Sequence, residues 1–376
     1  MSFAPPRSAY IHVPFCVHRC GYCNFALVAG REDLVEPYLN ALETELAWLA
    51  TPREVDTLYF GGGTPTFLSP RQLERLCQLA IRWHPLAADY EWTVEANPAD
   101  LDLERLAVLA NFGVNRLSLG AQSFRQQKLE FLERDHLGQD ICEACRLARE
   151  AKMNVSLDLI FAAADESLAD WIADLEQAVL LRPEHVSTYG LTFEKGTTFW
   201  SRLRQGTLRT VSEELEREMY LAAIERLGEA GFEHYEISNF ARPRHRSRHN
   251  EVYWSGLGYY AAGPGAARYV EGVRETNHRS TSTYLKRVLA GQSPVAEREC
   301  LDLQQRAREL LVFALRRLQG VTRSEFQERS GVALDQLAGC QVARFVELGL
   351  LSDDGQVVRL TREGLLVSDG LWPDLL

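Results

Sequence analysis

The sequence predicts an α/β fold: six parallel strands interleaved with helices, followed by a small helical module. Three observations predict it. Over roughly the first 200 residues, short apolar runs alternate with longer amphipathic stretches, the pattern of strand–crossover–strand units. From residue 301 onward, helical periodicity continues with no strand between helices. A loop of three cysteines, Cys16, Cys20 and Cys23, directly follows the first strand.

Strands are predicted at 8–13, 57–60, 92–95, 114–119, 155–160 and 185–191, with helices at 33–50, 69–83, 102–111, 138–151 and 168–181. Right-handed crossovers then give a parallel sheet. Six units are too few for a closed eight-stranded barrel, so a partial barrel and a doubly wound sheet both satisfy the pattern. In either, functional groups belong at the C-terminal ends of the strands. A helix at 212–231 and a strand at 232–237 come next, then a basic loop at 242–248 and a glycine-rich segment at 256–267 ending in Gly263-Pro264-Gly265. Helices at 303–318, 323–330 and 334–348 precede a hairpin across 351–360 that turns at Asp354-Gly355, a winged-helix-like arrangement. The expected divisions are 1–210 for the barrel, 211–300 for an extension and 301–376 for the C-terminal domain.

Composition narrows the function. With 41 basic and 52 acidic residues the chain carries a net charge of −11, which gives it no global attraction for nucleic acid or anionic lipid. No apolar run reaches the ~18 residues of a membrane-spanning helix. The first eight residues lack the basic and apolar segments of a signal peptide, so a cytoplasmic location is expected. A reducing cytosol keeps the 8 cysteines as thiols or metal ligands.

The C-x3-C-x2-C spacing of Cys16, Cys20 and Cys23 aims three thiolates at one point. Iron–sulfur clusters take thiolate ligands, and three ligands on a four-iron cube leave one iron open for chemistry. A zinc knuckle is the alternative, but zinc sites usually draw on two C-x2-C pairs. Cys142 and Cys145 read instead as small apolar positions one helical turn apart, and Cys77, Cys300 and Cys340 stand alone. Gly61-Gly62-Gly63-Thr64 after the second strand is either a tight turn or a place where backbone closely approaches a ligand. Glu95, Gln122, Arg134 and Asp158 lie at or beyond the ends of later strands; singly, each reads as a cap or a satisfied buried polar group.

Together these motifs resemble the radical S-adenosylmethionine (SAM) superfamily, and over about residues 8–370 the chain is similar to its oxygen-independent coproporphyrinogen III oxidase branch. The resemblance implies a partial (β/α)6 barrel, a [4Fe–4S] cluster on Cys16, Cys20 and Cys23, and SAM on the open iron. It implies SAM contacts at Tyr10, Tyr22, Gly62, Gly63, Thr64, Glu95, Gln122, Arg134 and Asp158, and it assigns no catalytic residue. The chain departs from that branch at Phe25, where the oxidases carry a further cysteine, and at Phe161-Ala162-Ala163-Ala164, where they have an aromatic-glycine-leucine-proline turn.

His249-Asn250-Glu251-Val252-Tyr253-Trp254 can place an imidazole beside two large rings, as a haem site does, with Arg242, Arg244, Arg246 and Arg248 near for propionates. The alternative is a solvated basic loop followed by a packed aromatic pair. The H-N-x-x-Y-W pattern resembles the haem chaperone branch of the same family. That implies haem bound at or near His249 and handed to acceptor apoproteins such as respiratory haem enzymes, with transient contact to membrane proteins; a homodimer is compatible with this. The competing enzyme reading is radical decarboxylation of coproporphyrinogen III.

Overall fold

The computed structural model describes residues 4–376. Six parallel strands, β1 (Ser8–Val13), β2 (Val55–Gly62), β3 (Leu86–Ala96), β4 (Arg116–Gln122), β5 (Asn154–Phe161) and β6 (His185–Gly190), lie side by side in chain order. A doubly wound sheet reverses direction at a switch point. Here every crossover steps the same way, so the helices share one face and the fold is a singly wound partial barrel. An antiparallel pair, β7 (Glu233–Glu236) and β8 (Asn239–Ala241), extends the β6 edge, and β9 (Tyr260–Ala262) pairs parallel with β1 at the other edge.

Residue alternation makes this sheet two-faced. Ile11, Leu58, Phe60, Trp92, Val94, Leu117, Leu119, Leu157 and Val186 point outward into one core with Tyr38, Leu39 and Leu42 of α1 (Val35–Ala47) and Leu73 and Leu76 of α2 (Pro70–Trp83). Each such side chain, once fully buried, contributes about 1.5–3 kcal/mol. The other face is polar. It carries Ser8, Tyr10 and His12 on β1, Thr57 and Tyr59 on β2, Glu91, Thr93 and Glu95 on β3, and Arg116 and Ser118 on β4. Ser156 and Asp158 on β5 and His185 and Ser187 on β6 complete it. α2 starts where its sequence says it should: Ser69 and Gln72 form a capping box, and Pro70 takes the first helical position.

Two features fasten the ends of the strands. Lys128 is buried between Glu166 at 2.5 Å and Asp174 at 3.1 Å. Asp174 also accepts the Ser123 hydroxyl and the Phe124 amide, and Glu166 accepts the Ala163 amide. The triad thereby ties the loop after β4 to the loop after β5, the latter holding Ala162 in the left-handed region at φ 62°. Glu45 on α1 is likewise buried and accepts from Gly263 N, Asn277 Nδ2 and Tyr284 Oη at 2.7–2.8 Å, pinning residues 263–284 beneath β1.

Residues 211–300 share the barrel's core, whereas helices Leu303–Arg316, Arg323–Ser330 and Leu334–Glu347 build a second core with a three-stranded wing of Val321–Thr322, Leu351–Asp353 and Val357–Leu360. The sequence reading did not anticipate the three-stranded sheet Ala267–Val270, Val273–Asn277 and Val295–Cys300. No helix among the described residues is long and apolar enough to cross a membrane.

Replacing Lys128 with Met should lower unfolding stability by about 3–5 kcal/mol, because two buried carboxylates lose their counter-charge. Urea denaturation checks it, and a loss under about 1 kcal/mol would remove the triad's structural role.

Candidate functional site

The cysteine loop is closed by a two-residue ladder in which Phe15 and Cys16 pair with Val28 and Ala29. The Gly30 amide adds a bond to the Cys16 carbonyl at 3.0 Å, and the Cys23 amide turns back to the Cys20 carbonyl at 3.1 Å. All three thiols are free. Burial raises their pKa values, Cys16 to about 12, while Arg134 opposes the shift at Cys20 from a 3.8 Å contact. A bound metal centre reverses that balance and takes the thiolates. Three thiols carried on one loop are the donor set that an iron–sulfur cluster takes. Cys145 is buried in the helix Gly138–Glu150 and Cys142 is exposed on it, so that pair does not join the loop.

The glycine turn is stitched to this loop. Gly63 N donates to Val13 O at 2.8 Å and Thr64 N to Phe15 O at 2.7 Å, while Thr64 Oγ1 sits 3.4 Å from Cys16 Sγ. Gly62 has φ 113°, and a Cβ there would fall 2.5 Å from the His12 ring; one on Gly63 would fall 2.5 Å from the Phe15 carbonyl oxygen. Only glycine fits either position. Glu95 closes the same corner, accepting Tyr59 Oη at 2.8 Å and Gly62 N at 3.0 Å. Burial raises its carboxyl to about 7, and neighbouring Asp158 adds to the rise. Asp158 itself accepts the Ser118 hydroxyl at 3.1 Å.

Arg134 reaches in from the far wall. Its Nη2 donates to Asn97 Oδ1 and to Gly120 O, both at 3.0 Å, and its buried Nε has no partner. A Cβ on Gly120 would lie 3.1 Å from Gln122 Nε2 and 3.4 Å from Arg134 Nη2, so Gln122, at φ 62°, shares that wall. Tyr22 packs on Phe199 beside the loop. The three cysteines and seven of the nine residues expected there, Tyr22, Gly62, Gly63, Thr64, Glu95, Gln122 and Arg134, lie on this C-terminal side of the sheet; Tyr10 and Asp158 sit mid-strand on its inner face. Four further residues belong with them. His12 donates Nε2–H to Ala26 O at 2.7 Å and accepts Tyr10 Oη at Nδ1 at 3.0 Å, burial lowering its pKa to about 4. Asn97 donates to Asp135 at 2.9 Å and meets His136 Nδ1 at 3.2 Å. Strand alternation flags His12 as inward-facing; nothing local flags Asn97, Asp135 or His136.

His249 lies elsewhere, at the N-terminal ends of β1 and β2. It sits on a helix, Arg248–Trp254, that plugs the barrel floor, and it is 1% exposed. Nδ1 meets Ser8 Oγ at 3.0 Å and Thr57 Oγ1 at 2.9 Å, Nε2 meets Tyr253 Oη at 2.8 Å, and the ring stacks on Tyr59 at 4.9 Å. Burial lowers its pKa to about 3. In this conformation both ring nitrogens are hydrogen-bonded. Arg242 is bonded to Ala230 O, Arg246 to Glu233 and Arg248 to Asp89; Arg244 is exposed.

A parallel six-stranded partial barrel with a three-cysteine loop after its first strand defines a radical SAM protein. Residues 10–178 match the Radical SAM superfamily, to which the chain belongs, and residues 301–367 match the HemN C-terminal domain. Over 372 residues the chain is 36% identical to a curated protein of Bacillus subtilis (strain 168) named Heme chaperone HemW, covering 97% of this chain and 98% of that one. The Lactococcus lactis protein of the same name is 34% identical over 375 residues, 99% of this chain and 97% of its own. The chain belongs to this HemW family. Its fold matches a solved structure titled as Escherichia coli coproporphyrinogen III oxidase (HemN), a radical SAM enzyme, with TM-score 0.87 and 22% identity over 99% of this chain and 90% of that one.

Because the folded-state pKa of Glu95 lies above its unfolded value, the native state binds the extra proton between pH 4.5 and 7, and stability falls as pH rises through that window. Glu95→Gln should therefore be more stable than the parent at pH 8 by about 2 kcal/mol, a figure reduced for water reaching the mouth, and the difference should vanish below pH 5. Denaturation at several pH values checks it; a pH-independent difference would contradict the assigned environment.

Proposed function

We propose that this chain is a haem chaperone that carries a [4Fe–4S] cluster on Cys16, Cys20 and Cys23, with SAM on the open iron, and that it passes haem to acceptor apoproteins. The observation that carries the reading is the H-N-x-x-Y-W segment lodged as the barrel floor, in a chain whose near-full-length relatives bear the name heme chaperone. Phe25, 65% exposed where the oxidase branch has another cysteine, speaks against decarboxylation of coproporphyrinogen III.

The mouth residues suit SAM. Glu95, raised by burial, gains from a cationic or hydroxyl donor, and the unpartnered Nε of Arg134 can meet a carboxylate. Gly62 and Gly63 let backbone approach the ligand. The cluster, when bound, supplies one-electron chemistry; the chain's own residues hold and orient the nucleoside beside it. At the floor, His249 Nε2 becomes available to haem iron when Tyr253 turns away, and Tyr253 and Trp254 supply ring surface. Membrane-bound acceptors and a homodimer belong to this proposal too.

Anaerobic haem titration of the cluster-reconstituted protein, with coproporphyrinogen III turnover assayed on the same sample, tests it. One haem bound per chain with no protoporphyrinogen formed is the expected result; turnover without stable haem binding would make the chain a decarboxylase. His249→Ala should weaken haem binding at least about tenfold and shift the absorbance, and an unchanged titration would remove the ligand assignment.

A further inference from the structure

His249 has no open route in this conformation, which raises the question of how cargo reaches it. Its ring is separated from the cysteine mouth by Tyr10 and Tyr59, both stacked across the barrel. On its other side Tyr253, bonded to Nε2, lines a cleft at the seam between the barrel extension and the C-terminal domain. Tyr253, Leu257, Tyr259 and Tyr269 form one wall, and Leu310 and Phe313 of helix Leu303–Arg316 form the other. The cleft's free volume is only about 40 Å³. That is far below the ~300–1,000 Å³ range of small-molecule sites, so a tetrapyrrole enters only if one wall moves.

At the plug helix the seam is held by Arg317 Nη1 to Ser255 Oγ at 3.2 Å and by Arg329 to the Ser255 carbonyl, and beside it by Arg274 to Glu309 at 2.7 Å. Away from the plug helix, Leu318 N donates to Tyr235 O at 3.1 Å, and Arg217–Glu363 and Arg362–Glu225 pair at the surface. Arg316 lies over the Trp254 ring at 4.3 Å, yet the buried Nε atoms of Arg316 and Arg317 and Trp254 Nε1 have no partner. Water entering the opened seam would give these buried groups hydrogen-bond partners. The outer barrel core, by contrast, is continuous from β1 to β6.

We infer that the seam cleft is the route by which a flat, apolar macrocycle reaches His249, and that the C-terminal domain is the wall that moves. This rests on the haem-carrier reading. The aromatic wall matches the faces of such a ring, and its continuity with His249 through Tyr253 leads the ring to the buried nitrogen.

Two variants with opposite expected effects test the route. Arg317→Met removes a tie while keeping aliphatic packing; Leu257→Trp narrows the mouth from a half-exposed position. Stopped-flow mixing with haem should give association faster by about threefold or more in Arg317→Met and slower by a similar factor in Leu257→Trp. In the absence of haem, hydrogen exchange of amides 248–257 should quicken in Arg317→Met while β3–β5 stay protected. Any pattern other than opposite shifts in rate overturns the route, as does unchanged exchange at 248–257. If the parent protein binds no haem, the carrier reading falls and the route with it; if it binds haem but the two rates do not diverge, the route falls alone.

Discussion

The rest of this structure depends on strand alternation within a sheet wound in one direction. Parallel sheets are commonly buried on both faces and apolar throughout. Here most alternate residues of six strands are polar, and curvature of the sheet turns those residues toward one another. The apolar face drives folding, with Trp92, Phe60 and their neighbours wholly buried against helices. The polar face is then held in a protein interior where charges and hydroxyls are strongly coupled, and it does not collapse because its members satisfy one another. Glu95 binds Tyr59 and Gly62, Asp158 binds Ser118, and Glu91 pairs with Arg116 at 3.6 Å.

That inner face has two ends with different chemistry. At the C-terminal end the loops after β1 and β2 bring thiols and glycines together, and Glu95 and Arg134 bring opposite charges to the same mouth. At the N-terminal end the helix Arg248–Trp254 enters as a plug, its first turn capped by Ser247 and by Glu91, which accepts the Arg248 and His249 amides. Stacked Tyr10, Tyr59 and His249 bridge the two ends. On the haem-carrier reading proposed above, a cofactor at the mouth and cargo at the floor would stand on opposite sides of this short aromatic column.

Much of this was legible in the chain, for physical reasons that also mark the limits. The six strands are visible because alternation and apolar runs are local properties, and the order of crossovers then decides between the two α/β architectures. The cysteine loop and the glycine turn are visible because their chemistry depends on spacing. β9 was hidden in a glycine-rich segment, since its strand character comes from pairing with β1 rather than from its own residues. Likewise His249 and Tyr253 are spaced as neighbours on one helical face, but nothing nearby in sequence says that this face turns inward. Its partners Ser8 and Thr57 are 241 and 192 residues away. The arginines before it look free in sequence because Asp89, Glu233 and the Ala230 carbonyl are brought to them only by the fold.

The central claim is that the C-terminal mouth of the barrel holds a three-thiolate cluster whose remaining iron is open to SAM, with Glu95 and Arg134 shaping that ligand's place. Electron paramagnetic resonance of the reduced, reconstituted protein, recorded with and without SAM, tests it most directly. The account predicts a cluster signal that changes on adding SAM, a weaker response in Glu95→Ala and Arg134→Ala, and no cluster after loss of Cys16, Cys20 or Cys23. A cluster signal that SAM leaves unchanged, or a cluster that survives loss of one of those cysteines, would contradict it.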